Sequence, residues 1–332
     1  MTEIDDLKPL LTVEDLEVSF PDAGGEQHAV RGVSFSVGAG EFVGLVGESG
    51  CGKSLTALSV LRLVPKPGRI RQGRIRFGGQ DLLDLPEEEI RKVRGARIGM
   101  VFQEPMTSLN PVFTIGYQIG ESLRLHHGMS RAEARAEAIR LLDRVAIAGS
   151  AKRVDDYPHQ LSGGQRQRAM IAMALACDPD LLIADEPSTA LDVTVQAQIL
   201  ELLAQLRSEL GLAVLLITHD LGVVAETCDR AMVMYAGRII EQGAVAELFG
   251  SPAHPYTRGL LRAVPRLGSP APRGELPTIP GSVPELSALP SGCAFHPRCA
   301  DVMPQCSETL PEAIEISTDH SASCLLHEPT TP

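Results

Sequence analysis

Leu11-Thr-Val-Glu-Asp-Leu-Glu-Val-Ser-Phe20 alternates apolar and polar side chains, and Val33-Ser-Phe-Ser-Val37 resumes the alternation after Pro21-Asp-Ala-Gly-Gly25. A period of two predicts half-buried strands separated by a turn. Glu41-Phe-Val-Gly-Leu-Val46 is instead a short apolar run ending in glycines, the pattern of a strand buried on both faces. From about residue 105 to 177 the period lengthens to that of a helix. It is clearest over 131–145, where Ser130-Arg-Ala-Glu133 supplies a capping box. Asp180-Leu-Leu-Ile-Ala-Asp185 and Ala213-Val-Leu-Leu-Ile-Thr218 predict two more buried strands, and Val193–Leu210 predicts a helix between them, closed by Gly211. Strands alternating with helices imply a largely parallel α/β sheet, interrupted by a helical insert. After about Gly250 that texture ends. Fourteen of the 24 prolines lie in residues 251–332 and no long apolar periodicity survives, which predicts a linker or a loop-rich small domain too poor in core residues to fold alone.

Composition narrows the function. The chain has 332 residues, enough for one domain of roughly 250 residues plus an appendage. Its 30 basic and 42 acidic residues give a net charge of −12, which argues against a binder of nucleic-acid phosphates. The opening MTEIDDLKPL is acidic, unlike a signal peptide. The longest apolar run is the nine residues from Ala169 to Cys177, against the ~20 that a membrane-spanning helix needs. The expectation is a soluble, cytosolic protein.

The glycine-rich stretch carries the chemistry. Gly47, Glu48, Ser49, Gly50, Cys51, Gly52, Lys53 and Ser54 fit G-x-x-x-x-G-K-[ST] directly after a predicted strand. Glycines let backbone N–H groups curl around phosphates, the following helix offers its positive end, Lys53 reaches the outer phosphates and the Ser54 hydroxyl suits Mg²⁺. A dinucleotide fingerprint fits poorly, because its third glycine would fall on Leu55 and no carboxylate follows about 20 residues on. Cys51 reads as a small filler. Asp185 ends a predicted buried strand, as a Mg²⁺-holding carboxylate should, and Glu186 next to it could polarise a water. Leu161-Ser162-Gly163-Gly164-Gln165 opens a helix and forms a second anion-binding terminus. One nucleotide does not need two such sites in one subunit, so the second hints at a neighbour's nucleotide.

The phosphate loop, Gln103, Leu161-Ser-Gly-Gly-Gln165, Asp185-Glu186, Ser188-Thr-Ala-Leu-Asp192 and His219 stand in the order and approximate spacing of the ATPase subunits of ABC transporters, which the chain resembles over about residues 10–250. The resemblance implies an α/β P-loop NTPase of ABC type. Its nucleotide-binding domain would cover 1–250, with a RecA-like parallel sheet core, an antiparallel β subdomain and a helical subdomain at about 105–177. A loop-rich, cysteine-containing C-terminal domain would follow at 251–332. The resemblance also implies a head-to-tail dimer with a second, homologous ATPase subunit, expected to be a different chain. Each ATP would contact residues 47–55, Leu55 included, of one subunit and Ser162, Gly163, Gly164 and Gln165 of the other, with Asp192 reaching across. Glu186 would be the general base and His219 would bind the γ-phosphate. Ser54, Gln103 and Asp185 would hold Mg²⁺. Phe20 stands where the family stacks an aromatic on adenine, although its place in an alternating strand equally suits a core phenylalanine.

Gln103-Glu-Pro-Met-Thr-Ser-Leu-Asn-Pro111, His254-Pro-Tyr-Thr-Arg-Gly-Leu260 and Gly292-Cys-Ala-Phe-His-Pro-Arg-Cys299 extend the resemblance to oligopeptide/dipeptide importers and their nickel and glutathione relatives. That implies ATP-driven peptide import, with two transmembrane permease subunits and an extracytoplasmic peptide-binding protein as partners and the cytoplasmic membrane face as location. A soluble ABC-type ATPase of DNA repair or translation would be expected to carry a long coiled-coil insert or two nucleotide domains, and neither is evident in the sequence. Cys293, Cys299, Cys306 and Cys324 fall within the last 40 residues. They lack the close pair usual in structural zinc sites, and wider spacing suits a [4Fe–4S] cluster. The importer resemblance points the same way. Zinc, with His296, His320 or His327 nearby, and free or oxidised thiols remain open at this point.

Overall fold

The computed structural model describes residues 9–22, 24–188, 191–263 and 278–327. Thr189 and Ala190 of the segment 188–192, and residues 264–277 of the proline-rich stretch, lie outside the described residues. The chain divides into two compact units, one of residues 1–11, 37–42 and 77–217, the other of residues 12–36, 43–76 and 218–332.

In the first unit the strands Ile98–Val101, Leu181–Asp185 and Ala213–Thr218 run parallel, with Ile98 opposite Leu181 and Asp185 opposite Ile217. Every residue of Leu181–Asp185 and Ala213–Thr218 is buried, as expected of strands covered on both faces. The helices Ile115–His127, Arg131–Arg144, Gly163–Ala174 and Val193–Leu210 make up most of the remainder. The capping box at Ser130 and Glu133 is formed, and Gly211 closes Val193–Leu210 in the left-handed conformation, as their sequences predict.

In the second unit Phe42–Val46 lies parallel to Arg230–Tyr235, with Val43 opposite Arg230 and Val46 opposite Val233. Arg238–Ala244 turns back antiparallel on Arg230–Tyr235. The C-terminal segment then adds two strands that its sequence did not announce. His320–Ala322 pairs antiparallel with Arg238–Ala244, and Ile314–Ser317 pairs with His320–Ala322. The long strands Leu11–Asp22, Gly25–Val37 and Arg69–Phe77 form a separate sheet, in the order 25–37, 11–22, 69–77. The core-poor tail is ordered by borrowing: Tyr256 and Phe295 enter a buried cluster with Tyr235, Val233, Leu248 and Ile240.

Candidate active site

The phosphate loop leaves the buried strand Phe42–Val46 and runs into the helix Lys53–Val60. Two of its glycines are required by close backbone approach. A Cβ on Gly47 would stand 2.2 Å from the Met234 carbonyl oxygen, and one on Gly52, at φ +107°, would stand 2.7 Å from the Ala29 carbonyl oxygen. The Cys51 carbonyl accepts the Gly237 N–H at 2.9 Å, fixing the far side of the loop. Lys53 is buried, and its Nζ donates to the carbonyls of Gly47 at 2.8 Å and Glu48 at 3.0 Å. Ser49 and Gly50 form the exposed tip, while Ser54 and Leu55 are half-buried. Cys51 is fully buried, and that burial raises its thiol pKa despite the nearby Lys53 ammonium. Phe20 is half-buried at the end of its strand, its ring against Gly68, where a Cβ would come within 2.6 Å. His219 is exposed and precedes the helix Leu221–Thr227, whose cap Asp220 accepts the N–H groups of Gly222 and Val223.

The other predicted residues belong to the first unit. Asp185 is 5% exposed at the end of its strand. Glu186 leaves that strand at φ +45°, its N–H bonded to the Ile217 carbonyl at 2.9 Å. Non-glycine residues adopt this region at a cost of about 1–3 kcal/mol, and such strain gathers at functional sites. The Glu186 carboxylate accepts a hydrogen bond from Gln103 Nε2 at 3.1 Å, so two residues 83 positions apart meet at the end of the sheet.

Ser162 caps the helix Gly163–Ala174. Its Oγ accepts the Gln165 N–H at 3.3 Å while Gln165 Oε1 accepts the Ser162 N–H at 3.0 Å. Ser162 and Gly163 are exposed, so the positive end of this helix faces outward. A Cβ on Gly164 would lie 2.8 Å from Val195 Cγ1. Asp192 caps Val193–Leu210 by accepting the N–H of that same Val195 at 3.0 Å, which sets Asp192 beside the helix start at Ser162.

The four tail cysteines line one cavity of about 20 Å³, together with His254, Phe295, Leu325 and others. Gly292 permits the approach, since its Cβ would stand 2.4 Å from the Cys306 carbonyl oxygen, which accepts the Cys293 N–H at 2.8 Å. Burial raises the thiol pKa of Cys293 and Cys299, and that of Cys324 to about 11. His254 is 1% exposed. Its Nδ1 accepts the Tyr256 N–H at 3.0 Å, so the proton sits on Nε2. Nε2 is buried with no hydrogen-bond partner among the described residues. Burial, then Arg258 and His327, lower the imidazole pKa to about 3. Among the described residues, no group of three or more His, Cys, Asp or Glu side chains is arranged to hold a metal ion.

Sequence reasoning missed a cluster beside the phosphate loop. Tyr256 Oη accepts the Glu48 N–H at 3.0 Å, and Arg298 Nη1 donates to both Glu48 carboxylate oxygens, at 3.1 and 3.2 Å. The signal was present in His254-Pro-Tyr256 and Pro297-Arg298-Cys299, but nothing local says that these reach a loop more than 200 residues away.

Residues 30–189 match the ABC transporter family, and residues 240–306 match the oligopeptide/dipeptide transporter C-terminal region. A probable peptide ABC transporter ATP-binding protein of Sinorhizobium fredii is 54% identical over 318 residues, covering 95% of this chain and 94% of its own. The chain belongs to the ATP-binding subunits of ABC transporters, in the oligopeptide/dipeptide branch. A Brucella abortus subunit of this branch, named for peptide import, is 57% identical over 291 residues, covering 88% of this chain and 87% of its own. Among solved structures, a dimeric bacterial ABC transporter cassette matches at TM-score 0.64 and 29% identity, covering 71% of this chain and 98% of that one. The same cassette bound to ADP and phosphate after hydrolysis matches at TM-score 0.63. The ABC-type P-loop NTPase fold expected from the motifs is therefore the fold of this subunit.

Proposed function

We propose that this ABC subunit hydrolyses ATP to ADP and phosphate and thereby drives peptide import through membrane-embedded partners. The observation that carries the catalytic part is the strained Glu186, hydrogen-bonded to Gln103 next to the buried Asp185. Glu186 is the proposed general base and His219 the proposed γ-phosphate ligand. Phe20 stacks on adenine, and Gly47 to Leu55 hold the phosphates. Ser54, Gln103 and Asp185 offer oxygen donors suited to Mg²⁺, which when bound neutralises the β- and γ-phosphate charge. Gln103 spends its amide nitrogen on Glu186 and keeps its oxygen for the metal. Ser162 to Gln165 and Asp192 serve the nucleotide of a second ATPase subunit. The relatives' names favour peptides over nickel as cargo.

The remaining partners are two permease subunits and an extracytoplasmic peptide-binding protein, with this chain peripheral on the cytoplasmic membrane face. Among the described residues no helix is long and apolar enough to cross a membrane. A docking surface is supported by the exposed Val112 and the stacked, part-exposed Phe113 and Tyr117, whose ring centroids lie 4.6 Å apart. Substituting Glu186→Gln should preserve Mg-ATP binding and lower turnover of the assembled transporter by about 10²–10⁴-fold. Normal turnover would remove Glu186 as the base.

The four-cysteine cavity is proposed to hold a [4Fe–4S] cluster. Two features support the donor set: four soft thiols border one cavity, and the buried His254 N–H beside it has no acceptor among the described residues, which a thiolate or sulfide would supply. Protein purified without oxygen should be brown, with about four irons per chain. Colourless, zinc-loaded protein would refute the assignment.

A further inference from the structure

We propose that Arg298 and Tyr256 are positioning residues for the phosphate loop, and that through Glu48 they make nucleotide affinity depend on the fold of the four-cysteine segment. This rests on reading residues 47–55 as the nucleotide site. Glu48 is the second residue of the loop and is fastened at three points. Its N–H donates to Tyr256 Oη at 3.0 Å, its carbonyl accepts Lys53 Nζ at 3.0 Å, and its carboxylate accepts Arg298 Nη1 through both oxygens. A P-loop binds phosphate with preorganised backbone N–H groups, so freeing one end of the loop adds an ordering cost to binding.

Neither anchor is free to swing. Tyr256 is fully buried, with its ring 5.3 Å from that of Phe295. The Arg298 side chain is 7% exposed. Its Nε donates to the Pro280 carbonyl at 2.8 Å, its Nη2 to the Gly281 carbonyl at 3.4 Å, and its Nη1 also to Tyr235 Oη at 3.3 Å. Every arm of the guanidinium is therefore set by the tail or the neighbouring strand, and one arm is spent on the loop. Arg298 sits in the short turn His296–Arg298, where its N–H bonds to Phe295 and the next N–H, that of Cys299, bonds to His296. A displacement of Cys299 moves Arg298 through one peptide bond. A displacement of Cys293 moves Phe295, two residues on, and hence Tyr256. Whatever orders or disorders the cysteine cavity is thus transmitted to Glu48.

The test measures the affinity of the full chain for Mg-ADP by titration calorimetry. Arg298→Gln should weaken it roughly tenfold, since a half-buried, charge-assisted contact to the loop is lost. Tyr256→Phe should weaken it by a few-fold, and Arg298→Lys, which keeps the charge, should lie between wild type and Arg298→Gln. Glu48→Gln lies at a partly exposed position, so it keeps the test available if an Arg298 variant folds poorly. Combining Glu48→Gln with Arg298→Gln should cost no more than the worse single change. Cys299→Ser should weaken binding in the wild-type background and add little in the Arg298→Gln background. Variants that bind within twofold of wild type, or that combine additively, overturn the coupling while leaving the nucleotide site intact. Failure of the unaltered chain to bind Mg-ADP overturns the site reading and the coupling together.

Discussion

Glu241 is the carboxylate on which the C-terminal segment hangs, and replacing it with glutamine tests how that segment is held. It is 1% exposed, in the middle of the strand Arg238–Ala244. One oxygen accepts the Ala253 N–H at 2.6 Å and His320 Nε2 at 2.9 Å, and the other accepts the His254 N–H at 2.9 Å. Hydrogen bonds to charged groups contribute about 1.5–3 kcal/mol each. The sum overstates the loss, because removing a buried charge also removes its desolvation cost. Glutamine keeps one acceptor and turns an N–H₂ toward at least one donor. The expected destabilisation is then about 2–3 kcal/mol, the cost of one unsatisfied buried donor plus weakened neighbours. The chain has no tryptophan and four tyrosines. Tyr235 and Tyr256 both lie in the cluster closed by this segment, so near-ultraviolet circular dichroism reports its release. Urea unfolding followed at that wavelength should show the lower midpoint, with tyrosine signal lost before the far-ultraviolet signal. A change under about 0.5 kcal/mol would show that the carboxylate holds nothing.

Two further perturbations probe the first unit. Gly164→Ala drives a methyl to 2.8 Å from Val195 Cγ1, which should push apart the two helices that present Ser162 and Asp192. ATP turnover of the assembled transporter is expected to fall roughly tenfold, and Val195→Ala should restore part of it; no rescue would refute the steric cause. Cys177 is 6% exposed, and burial, with a smaller contribution from Asp178, raises its thiol pKa to about 11. A raised pKa means less thiolate at pH 8, so alkylation by iodoacetamide should be about a hundredfold slower than for an ordinary cysteine. Prompt labelling of Cys177 in the native chain would contradict this burial.

Much of this was legible in advance because the governing interactions are local. The loop at 47–54, the capping box at Ser130, the helix start at Ser162 and the closing Gly211 are each fixed by a few adjacent residues, and each stands where the sequence puts it. Buried strands such as Leu181–Asp185 announce themselves by an apolar run. The meeting of Gln103 with Glu186 could be expected only from motif order, because no spacing rule brings residues 83 apart within 3.1 Å. The tail was illegible for a different reason. Its own apolar content is low, and its order comes from groups supplied elsewhere: Glu241, the Tyr235 ring and the edge of Arg238–Ala244. Nothing adjacent to Glu241 marks it as a buried residue, and an unpaired buried carboxylate would be prohibitively costly. It is tolerated because its three donors come from residues 12, 13 and 79 positions later. A segment that borrows both its core and its hydrogen-bond acceptors can be recognised only from its partners. The same dependence puts Tyr256 and Arg298 against Glu48, so the least locally determined part of the chain is also the part fastened to its most sequence-determined loop.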